Sequence, residues 1–421
     1  MSDLASAPPE TSPAGYRSLV SQALADVRPG APATAVWRAL GAAGALRALY
    51  DGGNALGPVA DPARLGTLLA AVDARGDNGA TLSVLVQAAS ALPVLGSGRP
   101  APTTPPRTAP PSSAAPSPTV PSPTPPSPTA PSPTPPSSAA PSPVAAAHER
   151  ALAGSAQVAL AATDEAAAGS DLSGLGTEVR VEGDELVVHG GKRWVTNAGT
   201  AEYLLVLARH RPGRHFTDFS WVLVPAAAAG VTVRAAATDL LTNSATGHVS
   251  FDSVRLPAGH LVGRHGRGMA VFARHMSTER LAGAQWAVAL TGRVLADTRD
   301  RLLRRTVEGV PLWHNSAVRQ GFAECLVRVA QLRALSESLA ETAVRGQNLS
   351  AGAVLKSAVG LTVDTVLARC AQLQGADGFA EGGAQRIRAE AGVLGIGGGV
   401  TELMLAGVAD LSDQLLTELR A

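Results

Sequence analysis

Between Tyr16 and Leu95, apolar residues recur at three- and four-residue spacing through YRSLVSQALADV, ATAVWRALGAAGALRALY, DPARLGTLLAAVDA and GATLSVLVQAASALPVL. That is the period of helices burying one stripe. Asp61 followed by Pro62 is predicted to be the N-cap and first residue of one of them. Residues 1–98 therefore form a small helical domain. Between Gln157 and Pro257 the period drops to two. TEVRVEGDELVVHGGKRWV reads as a hairpin turning at Glu182 to Asp184, followed by the strand-like runs YLLVLARH, SWVLVPA, VTVRAAA and GHVSFDSVRLP. A compact β-domain, barrel or sandwich, is expected over 147–262. Beyond Gly268 the helical period returns in long, apolar segments that bury most of their surface against one another. The fold class is mainly α with a central β-domain, ending in a four-helix domain over 263–421.

From Pro100 to Pro143 the pattern disappears. Blocks beginning at Pro111, Pro116, Pro121, Pro126, Pro131, Pro136 and Pro141 read PSSAA, PSPTV, PSPTP, PSPTA, PSPTP, PSSAA and PSPVA. So many missing N–H donors exclude helix and sheet. The segment 99–146 is expected to be an extended polyproline II tether, at about 3.1 Å per residue on the order of 130 Å when stretched. It serves either as a docking arm or as an expanded repeat tolerated in a loop.

Charge narrows the partners. Lys plus Arg number 35 against 34 Asp plus Glu, so no global field draws nucleic acid or an anionic membrane. Cys325 and Cys370 sit in helix-like contexts without metal-ligand spacing or a disulfide framework, which suits a reducing compartment. The N-terminal MSDLASAPPETSPAG has no basic region before an apolar one, and no run reaches 18 apolar residues. Neither a signal peptide nor a transmembrane helix is expected, and a cytoplasmic location is. The chain length leaves room for two or three cores. Its Ala, Gly, Pro, Arg and Val excess follows the drift of a high-GC bacterial genome.

Six motifs then fall in one order. TDEAAAGSD (Thr163 to Asp171), GGKRWVTNAG (Gly190 to Gly199) and VSFDSVRLPAGHLVGRHGRG come first. ERL (Glu279 to Leu281), QLQGADGF (Gln372 to Phe379) and GGGVTEL follow. Together they resemble the acyl-CoA dehydrogenase family over roughly Ala151 to Leu415, in its order of helical, β and four-helix domains. The N-terminal domain matches in helical character alone, and the tether is foreign to the family. The resemblance implies FAD and an acyl thioester carried by CoA or an acyl-carrier protein. A base takes the alpha proton while the beta hydride passes to the flavin. It further implies that Trp194 and Thr196 lie against the flavin and that Ser170 donates to its pyrophosphate. Arg305, Gln372 and Gly375 would reach the FAD of a neighbouring subunit in a homodimer or homotetramer. Thr401 and Glu402 of GGGVTEL complete the cofactor set, and an electron-transferring acceptor completes the cycle.

GVLGIGGGVTELM (392–404) puts a glycine, Gly398, where most members carry the catalytic glutamate. Glycine accepts no proton on a side chain, though its N–H can still bind the thioester oxygen. The isovaleryl and long-chain branches are more similar here, with the glutamate in an LxxER run, and MSTER supplies Glu279 in that place. Met276, Glu279 and Gly283 share one helix face, an apolar and a small residue flanking the carboxylate. Met276, Arg280 and Gly398 are the expected substrate contacts. Asp164, Ala166, Glu308, Ser316 and Val400 depart from the family pattern; Asp164 and Glu308 would set carboxylates near the pyrophosphate and loosen FAD. These departures point to specialised, natural-product metabolism, including desaturation beyond the alpha,beta position. A flavin-dependent monooxygenase on the same fold, and a subunit needing a partner chain, are the alternatives.

Overall fold

The computed structural model describes residues 12–50, 58–98, 141–165, 174–346 and 349–420. Most of the proline-rich repeat and Ser170 lie outside the described residues. The helical domain contains α1 (Pro13–Ala25), α2 (Ala33–Ala42), α3 (Ala45–Ala48), α4 (Pro62–Asp73), α5 (Asn78–Val86) and α6 (Leu92–Gly96). Asp61 caps α4 as expected, accepting from the Arg64 N–H at 2.8 Å, with Pro62 in the first turn. The last proline repeat is not extended. Ser142 accepts from Ala145 N at 3.2 Å and opens α7 (Pro143–Leu152), which packs on α6. Ser-Pro is a helix-start signal once an apolar stripe follows it, so the helical layer takes in residues that the periodicity gave to the tether and the β-domain.

One sheet holds β1 (Val158–Ala161), β2 (Glu178–Glu182), β3 (Glu185–Val195), β4 (Tyr203–Arg209), β5 (Phe219–Pro225), β6 (Val231–Ala235), β7 (Gly247–Pro257) and β8 (Leu261–Val262). Its order is β6-β7-β3-β2-β4-β5-β8, with β1 parallel to β4. The β2–β3 hairpin turns at Gly183, in the left-handed region at φ +64°. β4 is apolar throughout because both its faces are covered. Leu205 and Leu207 join the core shared with the helices, while Leu204, Val206 and Ala208 join a separate core on the other face of the sheet.

The C-terminal domain begins with α8 (Gly268–Arg304), then a small hairpin of β9 (Thr306–Val307) and β10 (Val310–Pro311). α9 (Ser316–Arg345) and α10 (Leu349–Gln374) complete three long helices. Two short helices follow, α11 (Ala384–Ala391) and α12 (Val393–Ile396), and the expected fourth helix, TELMLAGVADLSDQLLTEL, is divided at Leu411 into α13 (Thr401–Asp410) and α14 (Ser412–Glu418). Gly397, Gly398 and Gly399 separate α12 from α13, and α13 takes the fourth place against α10. Three helical stretches among the described residues are long and apolar enough to cross a membrane. Asn78–Gly96 is 94% buried inside the protein, whereas Ala384–Asp410 is 11% buried.

Asp164 corrects an expectation. It does not face outward toward a cofactor: its carboxylate pairs with Lys192 Nζ at 3.1 Å, both side chains buried, and accepts from Thr177 and Gly176. Burial pushes the carboxyl up, but Lys192 and these donors outweigh it and hold it below the usual range. Lys192 is pulled down to about 8 by burial, with Asp164 opposing. Asp164→Asn or Lys192→Met alone leaves one buried charge uncompensated and is expected to cost about 3–5 kcal/mol in urea unfolding, whereas the double replacement costs clearly less than the sum.

Candidate functional site

The site begins with a proline. Pro93 has no N–H to give the preceding turn, and the helix between α5 and α6 widens into a π-turn over Gln87–Ala91. The Ala88 carbonyl accepts from the Tyr50 hydroxyl, and Gln87 Oε1 accepts from Val158 N at 3.2 Å. In this turn Ser90, 2% exposed, donates its hydroxyl to Glu279 Oε2.

Glu279 lies on α8 and faces the glycine loop after α12. Gly398 has φ +73°, which a side chain tolerates poorly. A Cβ built there would stand 3.2 Å from Glu279 Oε1. A side chain at 398 would therefore border the Glu279 carboxylate. Arg280 Nε donates to the Gly398 carbonyl at 3.0 Å, tying this loop to α8. Gly283, one turn on, faces Leu394 of α12, and Met276 is buried on the same helix. Lys356, 4% exposed on α10, donates to the Leu394 carbonyl and so holds α12 from beneath. Burial pulls its ammonium down to about 8; Glu279 raises it and Arg280 lowers it.

A second surface lies on β3. A bulge between Lys192 and Val195 leaves Trp194 at φ +55°, unusual for a bulky residue, with its indole 57% exposed. His248 meets it edge-on at 5.1 Å between centroids and accepts from its backbone N–H at 3.3 Å. Thr196 is half-buried beside it. Asn197 (φ +69°) is buried, receiving the Ser83 hydroxyl at 2.5 Å and donating to the Ser83 carbonyl at 3.2 Å. Ser83 and Ser90 lie on one continuous helical path, seven residues or about 10 Å apart, so a single buried element joins the indole platform to the carboxylate.

The remaining expected residues are dispersed. Arg305 Nη1 donates to the Gln374 carbonyl at 3.3 Å, and Gly375 (φ +61°) lies directly against that guanidinium. Gln372 is exposed on α10 and accepts from Arg369 at 2.6 Å. Thr401 donates to Gly395 O at 3.1 Å and packs on Gly360, and Glu402 is exposed. Glu308 sits at φ +50° in the exposed β9–β10 turn. Sequence reasoning missed Ser90, Tyr50 and Lys356. Lys356 had a legible signal, as the one charge in LSAGAVLKSAVGLTV. Ser90 had none, because helical periodicity does not foretell a π-turn.

Comparison with known proteins gives a consistent picture. Residues 159–254 match the acyl-CoA dehydrogenase middle domain, and residues 266–411 match the acyl-CoA dehydrogenase C-terminal domain. The chain is 28% identical over 253 residues to the acyl-CoA dehydrogenase AFT10-1 of Alternaria alternata, covering 56% of this chain and 57% of that protein. It is 30% identical over 237 residues to the acyl-[acyl-carrier-protein] dehydrogenase MbtN of Mycobacterium sp. (strain MCS), covering 55% and 59%. The chain thus spans less than two thirds of the length of these relatives. The fold is similar to that of a probable acyl CoA dehydrogenase from Mycobacterium abscessus, with a TM-score of 0.72, 20% identity, and coverage of 94% and 96%.

Two outcomes test this geometry. Ser90→Ala removes the donor to a part-buried carboxylate and is expected to destabilise the protein by about 1.5–3 kcal/mol in urea unfolding, with the fold retained by circular dichroism. His275 on α8 is 5% exposed, its Nε2 lacks a partner among the described residues, and burial plus Arg274 pull it down to about 3. The unfolded chain takes up that proton below about pH 6.5 and the folded one does not, so stability falls with falling pH from there toward 3. The loss is about 1.4 kcal/mol per pH unit at most, and His275→Gln should flatten the profile of melting temperature between pH 7 and 5.

Proposed function

Because the chain belongs to the acyl-CoA dehydrogenase family, we propose that it is an FAD-dependent dehydrogenase of an acyl thioester, bound to CoA or to a carrier protein, with Glu279 as the base. The observation that carries this reading is the 3.2 Å between Glu279 Oε1 and the Cβ position of Gly398. A side chain at 398 would border the Glu279 carboxylate, which supports reading Glu279 as the group that takes over from the absent glutamate.

The residues suit the cofactor. An exposed indole on a strained bulge, flanked by half-buried Thr196, offers a flat face for a planar ring. Arg305 beside Gly375, where a side chain is disfavoured, offers a cation where backbone approach is close. Bound FAD supplies the acceptor for the hydride leaving the beta carbon. The chain's own part is the alpha proton. Glu279 takes it, and the left-handed turn of Gly398 keeps a side chain out of the acyl space. Arg280 and Lys356 fix the loop so that carboxylate and substrate stay in register.

Natural-product metabolism is the setting we favour, on the departures from the family pattern at Ala166, Ser316 and Val400. A second copy of the chain is the natural cover for the apolar side chains left exposed at the C-terminal end. These include Phe379 (78% exposed), Ile396 (67%) and Leu419 (83%).

Bleaching of the oxidised flavin absorbance by a panel of acyl thioesters, without oxygen, tests the reaction. A dehydrogenase is reduced by at least one of them, and a monooxygenase by none. Glu279→Gln should keep substrate binding and slow flavin reduction by ~10² to 10⁴; an unchanged stopped-flow rate would remove Glu279 from the mechanism. Glu279→Gly combined with Gly398→Glu should recover part of the activity, limited by the strained φ at 398.

A further inference from the structure

Two loops meet at the start of α8. The β4–β5 loop carries Arg211, Arg214 and His215, and the β8–α8 loop carries Arg264, His265 and Arg267, all exposed. The loops are fixed to each other. Ser220 Oγ receives the Gly266 N–H at 3.0 Å and contacts His210 Nδ1 at 3.1 Å, and the His210 and His265 rings lie 3.8 Å apart. Gly268 packs so closely on the backbone of Phe219 and Ser220 that a Cβ would stand 2.8 Å away, and its carbonyl accepts from Trp221 Nε1 at 2.9 Å. The start of α8 cannot shift relative to the patch.

The four arginines have no ion-pair partner among the described residues. The one carboxylate in the two loops, Asp218, is buried and caps the His215 turn. From Ser253 to Thr278 the chain contains no acidic residue, and the first to follow is Glu279 itself. Burial pulls His210 down to about 4 and His265 below its usual range, so the positive charge here belongs to the arginines. Phe216 adds a half-exposed apolar surface among them. In a chain whose charges otherwise balance, 35 against 34, such an unpaired concentration is a local field for a large anion.

We infer that this patch docks an acidic acyl-carrier protein and that the thioester reaches Glu279 on the carrier's pantetheine arm. The inference rests on the thioester reading above and decides between its two handles. Arg267 and Glu279 are twelve residues apart on the α8 axis, about 18 Å at 1.5 Å per residue, a span that an extended phosphopantetheine arm covers. A protein partner suits a patch spread over two loops, Arg211 and Arg214 on one and Arg264 and Arg267 on the other, with Phe216 among them.

The test uses the full FAD-loaded chain and three acidic holo carrier proteins of the fatty-acid, polyketide and peptidyl types. Binding is measured by calorimetry at low and high salt, with octanoyl-CoA as the protein-free thioester. At least one carrier should bind in a salt-sensitive way, and Arg211→Glu/Arg264→Glu/Arg267→Glu should weaken it at least about tenfold. The melting temperature and the affinity for octanoyl-CoA should hold. The proposal falls if no carrier binds, if the triple variant binds carriers as wild type does, or if it loses octanoyl-CoA equally. It also falls if duplex DNA or anionic vesicles bind as tightly as the best carrier. Carrier binding does not require chemistry. If it holds while neither octanoyl-carrier nor octanoyl-CoA bleaches the flavin, the dehydrogenase reading fails and the docking surface stands.

Discussion

The helix running from Asn78 to Gly96 is enclosed between the sheet, α4 and the long C-terminal helices, and Val86 apart every residue in it is buried. Burial on all sides means that each polar group must find its partner on a neighbouring element. The Asp77 cap binds Ala80 N and Asn243, Asn78 reaches Glu390 and Arg293, and Ser83 reaches Asn197. Gln87 reaches Val158, Ala88 reaches Tyr50, and Ser90 reaches Glu279. These bonds are the joints between the three domains. A shift of this helix by one turn would break them together, because unsatisfied groups in such an interior cost about 1–3 kcal/mol each.

That enclosure also holds Glu279 and the Gly398 loop against each other. Glu279 stands on a long, straight helix locked to β5 at its start. Gly398 stands in a loop tied down by Arg280 and by the hold of Lys356 on Leu394. Position 398 brings a strained backbone with it, whereas position 279 does not. For the base proposed above, a helix-borne carboxylate is therefore the less strained of the two arrangements.

The charge pattern follows a similar division of labour. Two buried carboxylates are paired and bonded, Asp164 with Lys192 and Asp73 with Arg293. Four further arginines without an ion-pair partner among the described residues, Arg211, Arg214, Arg264 and Arg267, are exposed on the two loops at the start of α8. Desolvation forces the first arrangement. Nothing in the fold requires the second, which is why it points outward to a partner.

The sequence by itself determined the order of helical, β and helical layers, the Asp61 cap, the β2–β3 turn and the position of Glu279. Each is written in local periodicity, in a capping residue or in a short motif, and so needs no knowledge of distant chain. The tertiary structure alone decided the rest. Asp164 reads as a surface carboxylate until Lys192, 28 positions on, is seen to bury it. TELMLAGVADLSDQLLTEL reads as one long helix until a break at Leu411 divides it into α13 and α14. Ser90 reads as a core serine until the missing N–H of Pro93 widens its turn and brings it to a carboxylate 189 positions away. Contacts of that separation depend on how whole elements pack, and packing is a property of three-dimensional complementarity that no local window of residues contains.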